Sequence, residues 1–242
     1  FQSVTSFERT LDAVIAMRPD RLSVYNYAHL PGRVKAQKLI RAADLPSPQE
    51  KLSILARTVE RLTSAGYVTI GMDHFALPDS DMARAMREGT LQRNFQGYST
   101  HADCDLIGLG VTSIGKVGWS FSQNMRHLHS YYQRLDDDCL PVERGLVLSA
   151  DVVLRAAVID AVMCRVRLQY RDFERKFNID FQRYFAEELA ELETLEADGL
   201  VTREPQALNI HPRGRMLLRN VAMVFDRHLR EQRLSVLYSR TV

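Results

Sequence analysis

The chain has 242 residues, of which 45% are hydrophobic and 26% charged, with a formal net charge of +2. That length allows one large domain or two small ones and a core that needs no disulfide staples. The composition excludes wholesale disorder, and no apolar run reaches the ~18–20 residues of a membrane-spanning helix.

In chain order, Ser6 is expected to cap a helix carrying Phe7, Leu11, Val14 and Ile15, which Pro19-Asp20 ends. Leu22 to Tyr27 has the β-branched and aromatic content of a strand, and a short helix is expected after Pro31. Ser47-Pro48-Gln49-Glu50 is a capping box with proline at the first helical position. Leu52, Leu55, Ala56, Val59, Leu62 and Ala65 follow at helical spacing, and Gly66 is expected to close the helix in the left-handed region. Tyr67 to Met72 is the next strand, so the alternation argues for parallel β/α units. From Asp73 to Thr100 the periodicity dissolves into what reads as a long loop. Asp105 to Gly115 reads as a strand entering a glycine-rich turn, and Phe121 to Leu135 as a helix.

The pattern changes near residue 140. Ser149 is expected to cap a helix running to about Arg165, and a second helix covers Phe181 to Ala197, with Phe181, Tyr184, Phe185, Leu189, Leu192 and Leu195 inward. Leu200–Thr202 and Ala207–His211 read as strands around a Glu204-Pro205 turn. Pro212 then opens a helix through Met216, Leu217, Val221, Val224 and Leu229. Helices, a small β-wing and a final helix suggest a winged-helix arrangement.

Several residues could carry chemistry. Gly108-Leu-Gly110 is half of a dinucleotide fingerprint, but Ser113 stands where the third glycine belongs. Asp73-His74 follows a strand directly, so the pair is a weak catalytic candidate; the alternative is a histidine that holds the loop by hydrogen bonds. His127 and His129 lack the i, i+4 spacing of a chelating pair, and there is no His-Glu-x-x-His or nucleophile elbow. Cys104, Cys139 and Cys164 match no zinc or iron–sulfur spacing and read as reduced thiols, so no metal site is expected in this chain. Arginines 203, 213, 215, 219, 227, 230, 233 and 240 crowd the last 42 residues against three acids. They suit anionic partners or, more simply, a solvated face with carboxylate pairing; the excess is modest for a nucleic-acid binder, so no nucleic acid is expected.

Three stretches together resemble one family. They are Asp20-Arg-Leu-Ser-Val-Tyr-Asn-Tyr-Ala-His-Leu-Pro31, Gly66-Tyr-Val-Thr-Ile-Gly-Met-Asp-His-Phe-Ala76, and Arg93-Asn-Phe-Gln-Gly-Tyr-Ser-Thr100 with the glycine-rich segment from Asp105 to Ile114. They resemble the oxygen-independent coproporphyrinogen III oxidases (coproporphyrinogen dehydrogenases) of the radical S-adenosylmethionine superfamily. Gly-Met-Asp-His-Phe-Ala discriminates, because related heme chaperones typically have a Glu-Ile-Ser-Asn type segment there.

The resemblance implies an α/β fold: the C-terminal part of an open β/α barrel (residues 1–138), then a mostly helical, winged-helix-like domain (residues 139–242). It implies a heme-biosynthesis enzyme that converts two propionates of coproporphyrinogen III to vinyl groups, giving protoporphyrinogen IX by 5′-deoxyadenosyl radical chemistry. It also implies two S-adenosylmethionine molecules, a 4Fe–4S cluster, a cytoplasmic setting and a monomeric full-length enzyme; the electron acceptor is not implied. Residue by residue, Ala28 and Ile114 match positions contacting S-adenosylmethionine, and Phe95 and Gln96 match a segment near the second molecule. For Phe95 and Ile114 the alternative is core packing. The superfamily's C-x-x-x-C-x-x-C is absent. The chain, which begins at Phe1, is therefore expected to be the second half of the enzyme, inactive alone, with the cluster held by an N-terminal part. The rival reading is a porphyrin- or nucleic-acid-binding module of winged-helix type without catalysis.

Overall fold

The computed structural model of the chain describes residues 2–32, 34–101 and 104–231. Phe1, Arg233 and Arg240 lie outside the described residues. The first part runs α1 (Val4–Met17), β1 (Arg21–Ser23), two short 3-10 turns (Lys35–Leu39 and Ala42–Asp44), α2 (Pro48–Ser64), β2 (Val68–Gly71), β3 (His74–Ala76), α3 (Asp81–Glu88), β4 (Gln92–Asn94), β5 (Gly97–Ser99), β6 (Ile114–Val117), β7 (Ser120–Asn124), α4 (Leu128–Asp136) and β8 (Val142–Val147). The second part runs α5 (Ala150–Cys164), β9 (Arg167–Gln169), α6 (Tyr170–Phe177), α7 (Phe181–Tyr184), α8 (Ala186–Ala197), β10 (Val201–Glu204), β11 (Ala207–Ile210), α9 (Pro212–Met216), α10 (Leu218–Met223) and α11 (Arg227–Glu231). Helices and strands are mixed throughout, as an α/β chain requires.

Helix starts follow local chemistry. Ser47 accepts the Glu50 N–H and Ser149 the Val152 N–H, each satisfying an orphan donor of the first turn. At α1 the cap is Ser3, one turn earlier than expected. Ser3 Oγ accepts from Ser6 N while Ser6 Oγ accepts from Ser3 N, so Ser6 is the reciprocal partner in the box.

Strand pairing departs from the parallel β/α expectation. The first sheet has the order β1-β3-β2, and both pairings are antiparallel. The cause lies at Met72, whose positive φ of 48° makes a two-residue turn and returns the chain at once as β3. β3 then occupies the place between β1 and β2. The stretch 73–100 is correspondingly not a loop: it holds β3, α3, which Ser80 caps and Gly89 ends, and the β4–β5 hairpin.

The glycine-rich stretch is also reassigned. Leu106 makes a single bridge to Lys116, and regular pairing begins only after the turn, at Ile114. Asn124 secures that turn by donating to the Gly108 and Gly110 carbonyls. The expected helix from Phe121 splits into β7 and α4, because β7 is held from both sides by β6 and β8. The expected boundary at 138/139 therefore falls inside the unit β7–α4–β8.

In the second part β9 and α6 were not foreseen. The expected helix 181–197 breaks at Phe185 (φ −104°, ψ 27°) into α7 and α8. Phe181, Phe185 and Leu192 are fully buried as expected, whereas Tyr184 is 39% exposed and donates its hydroxyl to Asp151. The β10–β11 hairpin turns at Pro205-Gln206, and its sheet has the order β10-β11-β9. The last expected helix breaks at Leu217 and again before Arg227, giving α9, α10 and α11.

Two apolar cores form among the described residues. The larger joins Ile70 and Tyr98 of the first part to Val158, Phe181, Leu192, Leu208, Val221 and Phe225 of the second. The smaller holds Leu11, Leu62, Tyr67 and Phe75. Gly214 is where α9 touches the chain entering β10: a Cβ there would overlap the Leu200 carbonyl oxygen, which is backbone and cannot rotate away. Gly214→Ala is expected to destabilise the chain by about 1–3 kcal/mol through overpacking, read as a lowered urea midpoint at unchanged slope.

Candidate functional site

A cavity of about 290 Å³ opens between the two parts. Its walls include Tyr25 and Ala28 from the segment after β1, Thr58 of α2, Met72 and Asp73 of the β2–β3 turn, and Asn220 of α10. The backbone at Ala28 is set by Gln37, whose amide donates to Ala28 O and whose carbonyl accepts from Leu30 N. Asp73 O accepts the Val24 N–H at 2.7 Å, which ties the same segment to the turn. Asn220 Oδ1 is buried and has no hydrogen-bond partner among the described residues. A buried acceptor left unpaired costs free energy that a donor on a bound molecule would remove.

Asp73 also leads away from the cavity. Its carboxylate bonds His74 Nδ1 at 2.7 Å, and the other ring nitrogen, Nε2, lies 3.4 Å from Ser23 Oγ. Burial pushes the Asp73 carboxyl up, but the hydrogen bond and charge of His74, with Arg93 further off, hold it below the ordinary carboxylate value. The His74 ring stands edge-on to Tyr98, with centroids 5.0 Å apart. Arg93, directly opposite Tyr98 across the hairpin, lies over that ring at 4.8 Å. Tyr98 donates its hydroxyl to Met163 O and fits because residue 71 is glycine: a Cβ there would overlap the Tyr98 hydroxyl.

Phe95 and Gln96 form the two-residue tip of this hairpin. Phe95 is 54% exposed, so it is not a core residue. Its ring stands edge-on to Phe121 of β7 at 5.1 Å. Ile114, half-buried, begins the neighbouring strand and pairs with Gln123. Ala28 and Asp73 therefore meet at the cavity, His74 adjoins the hairpin, and the hairpin tip reaches the sheet that carries Ile114.

Cofactor fit divides in two. The orphaned Asn220 acceptor and the cavity beside Ala28 suit a polar ligand with hydrogen-bond donors, as S-adenosylmethionine is. The thiols do not suit an iron–sulfur cluster. Among the described residues no three His, Cys, Asp or Glu side chains are grouped as metal ligands. Cys104 is exposed and Cys139 half-buried, while Cys164 is buried with its thiol pushed up by burial and directed to Asp160.

Arg93, Tyr98, Asp160 and Asn220 enter the site without having been named as site residues, although Arg93 and Tyr98 belong to the stretch from Arg93 to Thr100 that carries the resemblance. Asp160 left the clearest trace, as an acid inside the otherwise apolar run from Ala156 to Cys164. Within the C-terminal arginine cluster, Arg203 bonds Glu196 and Glu193, and Arg230 bonds Glu187 and Glu191. Arg215 donates to the Thr69 and Ile70 carbonyls of β2. These guanidinium groups are engaged within the chain. No helix among the described residues is long and apolar enough to cross a membrane.

A family model described as the HemN C-terminal domain matches residues 148–217. An oxygen-independent coproporphyrinogen III oxidase of Pseudomonas aeruginosa is 51% identical over 228 residues, covering 94% of this chain and 50% of that protein. The enzyme of the same name from Escherichia coli is 46% identical over 241 residues, covering 100% of this chain and 53% of the relative. That of Thermostichus vulcanus is 43% identical over 233 residues, covering 96% and 72%. Among solved structures, Escherichia coli coproporphyrinogen III oxidase (HemN), described as a radical SAM enzyme, matches with a TM-score of 0.90 and 47% identity, over 94% of this chain and 52% of that one. The chain thus spans about half the length of the first two relatives.

Proposed function

This chain belongs to the oxygen-independent coproporphyrinogen III oxidase family, and on that premise we propose that it supplies one wall of the cofactor and substrate site of such an enzyme. The reaction is the oxidative decarboxylation of two propionates of coproporphyrinogen III to vinyl groups, in the cytoplasm, by a monomeric enzyme. The observation that carries this reading is the cavity that brings Ala28 and Asp73 together with the unpaired Asn220 acceptor.

In this reading residues 1–138, with β8 paired onto their last strand, are the later part of an open β/α barrel, and the remainder of residues 139–242 is a helical domain. The order α5-β9-α6-α7-α8-β10-β11 supports a winged-helix description of that domain. Two S-adenosylmethionine molecules are proposed, with Ala28 and Ile114 each contacting S-adenosylmethionine and Phe95 and Gln96 toward the second molecule. The 4Fe–4S cluster is assigned to residues outside this chain, because the thiols here do not fit it. Once bound, and reduced by one electron from the cluster assigned to the rest of the enzyme, S-adenosylmethionine would supply the hydrogen-abstracting chemistry, and this chain's residues would hold it against a propionate of the substrate.

The chain's own residues bind and orient. Ala28 presents backbone rather than a polar side chain to the cavity. Asn220 Oδ1 accepts a hydrogen bond from the bound molecule. Phe95 offers an exposed ring face for stacking, and Gln96 an amide that can both donate and accept. His74, bonded to the Asp73 carboxylate and close to Ser23 Oγ, fixes the β2–β3 turn that borders the cavity.

A chimera tests the proposal. The matching half of the Escherichia coli enzyme is replaced by this chain, and the protein is purified anaerobically and supplied with S-adenosylmethionine and reductant. The chimera is expected to form protoporphyrinogen IX. A folded chimera that carries its cluster and leaves coproporphyrinogen III unconverted overturns the reading and favours a binding module.

A further inference from the structure

Arg93 differs from the other inward-facing arginines of the chain. Arg155 meets Asp151 and Glu188, and Arg215 meets two backbone carbonyls. The Arg93 guanidinium lies over the Tyr98 ring, its Nη1 is fully buried with no hydrogen-bond partner, and it makes no ion pair among the described residues.

Both acids near it are already committed. Asp73 holds His74 at 2.7 Å. Asp160 Oδ1 accepts the backbone N–H of Arg93 itself and faces the Cys164 thiol. A buried donor left without an acceptor costs free energy, which an acceptor on a bound molecule would offset. The guanidinium lies over an aromatic face with its Nη1 unpartnered, and guanidinium N–H donors match the oxygens of a carboxylate. Arg93 also sits two residues from the exposed hairpin tip.

We propose that Arg93 is a carboxylate-binding residue, and that the molecule seated against the β4–β5 hairpin brings a carboxylate to the guanidinium whose Nη1 has no partner. The inference rests on the reading above for the identity of that molecule. Two carboxylates qualify: a propionate of the tetrapyrrole, or the amino-acid carboxylate of S-adenosylmethionine.

The test compares the 242-residue chain with Arg93→Gln and Arg93→Lys. Coproporphyrin III is titrated by fluorescence and S-adenosylhomocysteine by calorimetry. Loss of a charge-assisted bond is expected to weaken one of the two ligands by about 10- to 100-fold in Arg93→Gln, with Arg93→Lys between. Weakening confined to coproporphyrin III names the propionate; weakening confined to S-adenosylhomocysteine names the amino-acid carboxylate. The melting temperature of Arg93→Gln is expected to hold within about 4 °C, because the buried unpartnered Nη1 is lost together with the ring contact.

Unchanged affinity for both ligands overturns the proposal, as does a wild-type chain that binds neither. A fall in melting temperature beyond about 4 °C, the mark of a structural cation, also overturns it. A chimera without turnover, together with positive titrations, removes the enzyme assignment and leaves the carboxylate site standing.

Discussion

Phe181→Ala is expected to cost about 3–5 kcal/mol of folding stability, enough to leave little of a typical domain's margin. Phe181 is fully buried at the first position of α7. Its ring stacks on Tyr170 at 4.4 Å with the planes 8° apart, and it meets Phe185 at 4.7 Å and Phe173 at 5.6 Å. Burial pushes the Tyr170 hydroxyl up to about 12, which reflects how dry this cluster is. Alanine would leave a void bounded by three rings that other contacts hold in place, so collapse is limited. Phe181→Leu keeps most of the volume and is expected to cost about 1.5 kcal/mol or less. Urea unfolding of both variants checks the pair of values; equal costs would show that ring stacking, rather than volume, dominates.

Arg155→Leu is expected to cost about 3–5 kcal/mol, because it strands a buried acid. Arg155 bonds Asp151 at 2.9 Å, Glu188 at 2.8 Å and the Phe225 carbonyl at 3.3 Å, and lies 5.3 Å from the Phe185 ring centroid. Glu188 is only 3% exposed, and its other cation, Arg230, stands at 3.3 Å. Without Arg155 the Glu188 carboxylate keeps one longer contact in a region that water does not reach. Replacing both by leucine removes the charge with its partner and is expected to recover most of the loss. A double-mutant cycle by thermal unfolding measures this; a double variant as unstable as Arg155→Leu would show that packing of the arginine stem dominates.

What the sequence made legible was local. Ser47-Pro48 and Ser149 announce helix starts because the capping hydrogen bond spans only three residues. The β10–β11 hairpin was legible because Glu204-Pro205 interrupts two apolar runs. The β1-β3-β2 order was not, since it turns on a positive φ at Met72, a residue with no preference for that region. Likewise Phe121 and its neighbours have ring content that suits helix or strand, and only the flanking strands β6 and β8 decide between them. In the candidate site, Asp73 and His74 stood together in the sequence and bond in the structure. Arg93 and Asn220 carry their information in the partner each lacks, and a missing partner exists only in three dimensions.

The Arg215 clasp has a mechanical consequence. By bonding consecutive carbonyls of β2, it pins α9 to the strand that leads into Met72 and Asp73. The larger core continues from that strand into α10. The Asp73 and Asn220 sides of the cavity therefore belong to one stiff frame. The opposite side, with Ala28 and α2, is joined to that frame through the Val24 N–H bond to Asp73 O, the pairing of β1 with β3, and a small core in which Leu11 and Leu62 meet Tyr67 and Phe75. Opening the cavity therefore means breaking sheet and core contacts rather than swinging one wall away from the other.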